Sequence, residues 1–191
     1  MREQIFSGNP FILADPQKCR HCHSCRLACA AAGAKMDLAS ALVQKVPLAA
    51  RNSLVTVDEV TMLMQCRHCE DAPCSRVCPL GAIRQAEGRV ELNKEICIGC
   101  KTCMMVCPFG AIELVHRQAT AAGGGSQYGE RQALVADKCD LCYDRLIQGK
   151  QPACIQACPT HSLVMVIPER WRQAHLEQSA RDLFRGLGIQ K

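Results

Sequence analysis

The sixteen cysteines of this 191-residue chain fall into four groups of four, with none left over. The groups are Cys19, Cys22, Cys25 and Cys29; Cys66, Cys69, Cys74 and Cys78; Cys97, Cys100, Cys103 and Cys107; and Cys139, Cys142, Cys154 and Cys158. Thiols in such numbers can close disulfides, hold zinc or ligate iron–sulfur clusters. Disulfides belong to oxidising compartments. Residues Met1 to Phe6 have no apolar stretch with a small-residue cleavage site, and no twin-Arg pair occurs. The expectation is therefore a cytoplasmic protein, and in a reducing cytoplasm regularly spaced cysteines are metal ligands.

Zinc and iron–sulfur are separated by spacing. From Cys97 to Pro108 the third group follows the C-x2-C-x2-C-x3-C-P run. Three cysteines on a tight loop reach three irons of one cubane. The fourth begins a helical turn, points away and ligates the neighbouring cluster. A zinc site would use pairs of C-x2-C; it accounts neither for a third cysteine two residues further on nor for the Cys-Pro that closes three of the groups. The second group departs by having four residues between Cys69 and Cys74. The last is loosest, with eleven between Cys142 and Cys154, and alone would pass for a zinc ribbon. The crossover rule assigns Cys66, Cys69, Cys74 and Cys107 to one cluster and Cys97, Cys100, Cys103 and Cys78 to the next. By elimination the outer groups complete each other: Cys19, Cys22 and Cys25 with Cys158, and Cys139, Cys142 and Cys154 with Cys29. The expected cofactors are four [4Fe–4S] clusters, none a three-iron form, because every ligand position is Cys.

His21, His23 and His68 lie inside these loops, but with each quartet complete they read as spacers. Arg20, Arg67 and Lys101 read either as surface charges or as cations that raise a cluster's potential. Met104 and Met105 read as packing around a cluster. No nucleophile–base pair stands out, and Gly123 to Gly125 lack the Lys and Ser/Thr of a phosphate-binding loop. The chain is thus expected not to be an enzyme by itself.

The elements that must position the thiols repeat as well. Residues 74–83 align with 103–112, both reading Cys-x-x-x-Cys-Pro-x-Gly-Ala-Ile; residues 154–163 are a looser copy, and 25–29 looser still, with Ala30 where the others have Pro. Each Cys-x-x-x-Cys is expected on a one-turn helix stopped by Pro79, Pro108 or Pro159. Residues 83–93 predict a tight hairpin about Glu87–Gly88, and 112–115 a short strand. Residues 30–65, Ala-rich and then β-branched at 54–57, should connect and cover the modules. Gly123 to Ser126 predict a loop or hairpin tip. Residues 169–186 predict an amphipathic helix with Trp171, Leu176, Leu183 and Phe184 as its apolar positions, read as a packing helix and ended by Gly186. The fold class is α+β: two pseudo-symmetric ferredoxin-like lobes, the central one at 52–115, the second from 1–51 with 116–168, and a C-terminal helix at 169–191. The apolar fraction is 48 % but only 4 % is aromatic, so the core is modest and the clusters are expected to help hold it.

With these strings in view, the chain resembles the four-cluster ferredoxin-like subunits of molybdenum and tungsten enzymes and of certain hydrogenases. The resemblance rests on Phe11 to Pro16, Cys66 to Cys74, Cys97 to Cys103, Lys138 to Cys142, Pro152 to Cys154 and Cys158 to His161. It extends to subunits of formate hydrogenlyase and carbon dioxide reductase, to the partner of carbon monoxide dehydrogenase, and to the small subunit of tungsten aldehyde oxidoreductase. It implies a nearly linear relay of single electrons between a molybdenum- or tungsten-pterin catalytic subunit and a hydrogenase or flavoprotein. Some relatives build filaments. The alternatives are a free-standing polyferredoxin shuttle and a zinc-bound scaffold. No stretch approaches the roughly 18 apolar residues of a membrane span. The formal charge of +5 counts Cys as neutral, so cluster thiolates reduce it, and no nucleic-acid partner is expected.

Overall fold

A computed structural model describes residues 8–86, 88–116 and 134–188. Strand β1 (Phe11–Ala14) leads to helices α1 (Ser24–Ala34) and α2 (Leu38–Val43) and the hairpin β2 (Asn52–Val57) and β3 (Val60–Gln65). The one-turn helix α3 (Pro73–Arg76) precedes the hairpin β4 (Ile83–Ala86) and β5 (Arg89–Leu92). Then come α4 (Thr102–Val106), β6 (Glu113–His116), β7 (Leu134–Asp137), α5 (Tyr143–Leu146), α6 (Ala153–Gln156), β8 (Leu163–Val166) and α7 (Pro168–Gly186). All strands form two-stranded antiparallel sheets, β1–β8, β2–β3, β4–β5 and β6–β7. The pairing of Phe11 with Val166 joins the two ends of the chain.

The repeat in the sequence is a repeat in the backbone. After Cys78, Cys107 and Cys158, the chain closes the same turn, with the N–H of Gly81, Gly110 and His161 donating to the cysteine carbonyl at 3.2, 3.3 and 3.3 Å. All three residues have left-handed φ, at 62°, 57° and 50°. Glycine adopts this freely in two copies, and His161 bears the steric penalty in the third. The proline in these copies stops the helix after one turn. Where Ala30 replaces it, α1 runs on for 11 residues.

Two small cores result. Ile12, Ala14, Leu63, Leu141 and Leu163 surround Cys25, Cys154 and Cys158 in the first. Ala72, Ile83, Val90, Ile112 and Ala136 surround Cys74 and Cys103 in the second. The β2–β3 hairpin, expected with the central lobe, gives Leu54, Met62 and Leu63 to the first core, because β3 lies against β1. The predicted hairpin forms at 83–92, although Glu87 lies outside the described residues. The strand expected at 112–115 is one residue later, since Ile112 is buried beneath it. The loop at Gly123 to Ser126 and residues 1–6 also lie outside the described residues.

Helix α7 corrects one expectation. Its apolar positions Trp171, Leu176, Leu183 and Phe184 are all at least 50 % exposed, so the helix does not pack along its length on the other described residues. No helix among the described residues is long and apolar enough to cross a membrane.

Candidate iron–sulfur centres

The second and third groups exchange cysteines in space. One cavity is lined by Cys66, Cys69, Cys74 and Cys107, closed by Ala72, Val90 and Ile112. A second is lined by Cys97, Cys100, Cys103 and Cys78 between Ile83, Ile98 and Leu114. Charge is felt across the same sets: Cys66 and Cys107 act on both Cys69 and Cys74, and Cys97, Cys100 and Cys78 act on Cys103.

The outer groups meet likewise. Helices α1 and α6 are in contact, and a third cavity is lined by Cys139, Cys142, Cys154 and Cys29. Cys29 and Cys154 act on Cys139, and Cys142 acts on Cys29. Cys22 and Cys25 both feel Cys158, and Cys19 opens the loop that carries them.

Each C-x2-C loop turns in the same way. The residue before its second cysteine is left-handed in all four: His21 at 55°, His68 at 49°, Gly99 at 66° and Leu141 at 59°. The tight turn frees backbone N–H groups to face sulfur. His68 N–H donates to Cys66 Sγ at 3.5 Å and Leu141 N–H to Cys139 Sγ at 3.4 Å. Neighbouring elements supply more: Arg51 N–H to Cys29, Ala111 N–H to Cys107 and Ala136 N–H to Cys97, at 3.3, 3.4 and 3.4 Å. Such bonds stabilise anionic sulfur and tune the potential of a cluster it ligates.

Burial sets the other side of the balance. It pushes the thiols of Cys29 and Cys74 up to about 11 and that of Cys154 up to about 12. Burial pushes the Cys139 thiol well above its usual range. At Cys158 burial is outweighed by hydrogen bonds from the hydroxyls of Ser162 and Thr160, and the thiol falls to about 7. Such protonated thiols give up their protons when metal binds.

The donor set fits a cluster better than a lone ion. Zinc would draw its sulfurs to about 2.3 Å from one point, and among the described residues no three His, Cys, Asp or Glu side chains converge in that way. Twelve of the thiols instead line the walls of three cavities, four to each, as ligation of four separate irons requires.

The other residues singled out in these loops divide. His21, His23, Arg20 and Lys101 are exposed. Arg67 is half-buried, with Phe11 and Phe109 at 5.5 and 5.9 Å from its guanidinium, and it donates to the Ile12 carbonyl. Met104 packs on the second core and Met105 is exposed. His68 is fully buried, and its Nδ1 accepts the Val90 N–H at 3.1 Å, which places it between β5 and the cluster loop. Sequence reasoning passed over Arg51, which pairs with Asp137 at 3.1 Å and Asp140 at 2.5 Å. It also passed over Asn9, which ties the start of the described chain to His68 and Glu70. Neither lies in a cysteine motif, so no local pattern marks them.

Comparison with known proteins finds iron–sulfur proteins. A 4Fe-4S binding domain model matches residues 90–113, and a 4Fe-4S dicluster domain model matches 125–167. An "Iron-sulfur protein" of Rhodospirillum rubrum is 48 % identical over 92 % of this chain and 91 % of its own length. "Electron transport protein HydN" of Escherichia coli K12 is 39 % identical over 91 % of this chain and 97 % of its own. "Formate hydrogenlyase subunit 2" of the same organism is 35 % identical, over 83 % and 82 %. The cofactors are four [4Fe–4S] clusters.

Proposed function

The chain belongs to the family of ferredoxin-type 4Fe-4S electron-transport proteins, and from that premise we propose that it is the relay subunit of a larger oxidoreductase. Electrons would pass one at a time between a molybdenum- or tungsten-pterin catalytic subunit and a hydrogenase or flavoprotein. The ligand sets are Cys66, Cys69, Cys74 and Cys107; Cys97, Cys100, Cys103 and Cys78; Cys139, Cys142, Cys154 and Cys29; and Cys19, Cys22, Cys25 and Cys158. The observation that carries the reading is the exchange of cysteines between groups, which braces clusters in pairs inside each lobe.

Each cluster, when bound, takes up and releases a single electron. The chain's own residues do the rest. The thiols hold the irons, and N–H groups of Arg51, Ala111 and Ala136 face the sulfur. Val90, Ile112, Ile83 and Leu114 wall the cavities with apolar surface, which limits water near the sulfur.

Relatives named as components of hydrogenase-4 and formate hydrogenlyase support assembly with a catalytic partner. The test is anaerobic purification from the native cell, with metal analysis and a visible spectrum. About sixteen irons per chain, a brown absorbance bleached by dithionite, and a copurifying pterin-containing subunit whose substrate reduces the clusters are expected. A loaded chain that purifies alone and exchanges electrons with many acceptors would replace the subunit reading with that of a free shuttle. Zinc and no visible absorbance would overturn electron transfer altogether.

A further inference from the structure

Lys138 is only 3 % exposed, yet it is a lysine. Its ammonium donates to the carbonyls of Val90 and of Cys139, the latter at 3.0 Å. Among the described residues it pairs with no carboxylate: the neighbouring Asp137 is held by Arg51 at 3.1 Å and Lys94 at 2.8 Å. A buried ammonium satisfied only by carbonyl dipoles is expensive, because two partial charges do not replace its lost hydration. A stable fold needs an anion within reach.

The position of the residue identifies that anion. Val90 belongs to the second core, whereas Cys139 leads directly to Leu141 of the first. Lys138 therefore spans the junction of the two lobes. Val90, whose carbonyl takes the ammonium, lines the cavity of Cys66, Cys69, Cys74 and Cys107, and the charge of Lys138 is felt at the Cys74 thiol there. The His68 ring is buried at the same junction, with its Nδ1 accepting the Val90 N–H at 3.1 Å.

We propose that Lys138 is the fixed counter-cation of the cluster held by Cys66, Cys69, Cys74 and Cys107, and that it raises the reduction potential of that cluster at the junction between the lobes. This rests on the ligand assignment given above. Adding an electron makes a thiolate-ligated cluster more negative, so a cation held beside it favours the reduced form. An electron crossing between lobes then meets a site of raised affinity, set by a residue that touches no iron.

The experiment is a potentiometric titration followed by electron paramagnetic resonance on the full chain, purified anaerobically. The parent is compared with Lys138→Met, Lys138→Gln and Lys138→Arg, with iron content measured for each. In the Met and Gln proteins one couple falls until its reduced-to-oxidised ratio at a fixed ambient potential drops about tenfold, a shift of about 59 mV for one electron. The Arg protein keeps the parent potentials. Adding Cys69→Ser to the Met protein alters the signal of the couple that fell. Failure of Met and Gln to load iron while Arg loads fully also supports the charge as the cause. The proposal is overturned by four unchanged couples in a loaded Met protein, by a fall in a different cluster, by an equal fall with Arg, or by failure of all three variants to load. A parent without reducible clusters would instead sink the relay function itself.

Discussion

Removing Cys107 discriminates the crossed ligand sets from four self-contained ones. In sequence Cys107 closes the third group, but in space it lines the cavity of Cys66, Cys69 and Cys74. Each cluster carries four irons, so Cys107→Ala should lower the content from about sixteen to about twelve per chain. Partial retention of a three-iron form would leave about fifteen. The single variant does not say which cluster was lost, but paired variants do. Cys107→Ala with Cys69→Ala strikes one cluster twice and should still leave about twelve irons. Cys107→Ala with Cys100→Ala strikes two clusters and should leave about eight. Iron per chain, measured with the visible absorbance after anaerobic reconstitution, reads the difference directly. The opposite ranking, with the Cys69 pair at about eight and the Cys100 pair at about twelve, would refute the crossed assignment.

Three further outcomes follow from local geometry. A Cβ on Gly99 would stand 2.0 Å from the Leu134 carbonyl oxygen, at a φ of +66°; Gly99→Ala should cost about 3 kcal/mol or more and bleach at lower temperature, whereas Gly110→Ala, with nothing within 4 Å, should cost only about 1–2 kcal/mol. Equal effects of the two would show that the approach to β7 is not tight. Leu141 and His21 share a left-handed backbone, but Leu141 is 1 % exposed and His21 lies in solvent. His21→Gly should therefore stabilise by about 1 kcal/mol, while Leu141→Gly should destabilise, since its lost burial, about 3 kcal/mol or more, exceeds the relieved strain; thermal bleaching with the opposite sign at either position would contradict this. Because the thiols of Cys29, Cys74 and Cys154 lie at about 11, 11 and 12, they are protonated in the iron-free chain at neutral pH. Iron must displace those protons, so loading should acidify a weakly buffered solution and become more favourable as pH rises towards these values; loading without proton release would show the thiols were already ionised.

Much of the site was legible because metal ligation imposes fixed spacings on consecutive residues. The one-turn helices at α3, α4 and α6 and the β4–β5 hairpin followed from Cys-Pro and turn chemistry alone. The β2–β3 hairpin was only half visible: its turn is Asp58–Glu59, both at positive φ, without the Asn-Gly or Asp-Gly that announces such a turn. The burial of His68 and Lys138 was hidden for a different reason. Each is polar and each sits in a motif loop, and only the meeting of β5 with the last cysteine group encloses them. Helix α7 has the apolar spacing of a packing helix, yet none of its residues is buried against the other described residues.

The pairing of β1 with β8 has a consequence for how the protein is made. A ribosome delivers the N-terminal end first, so Phe11 to Ala14 must wait until residues 163–166 have emerged. The second and third cysteine groups can meet long before that. Assembly is thus ordered in time: a central unit can fold and load early in synthesis, and the outer unit only once residues 163–166 have emerged. A prematurely terminated chain would lack one half of the outer unit, leaving unpaired thiols by which a defective copy can be told from a finished one.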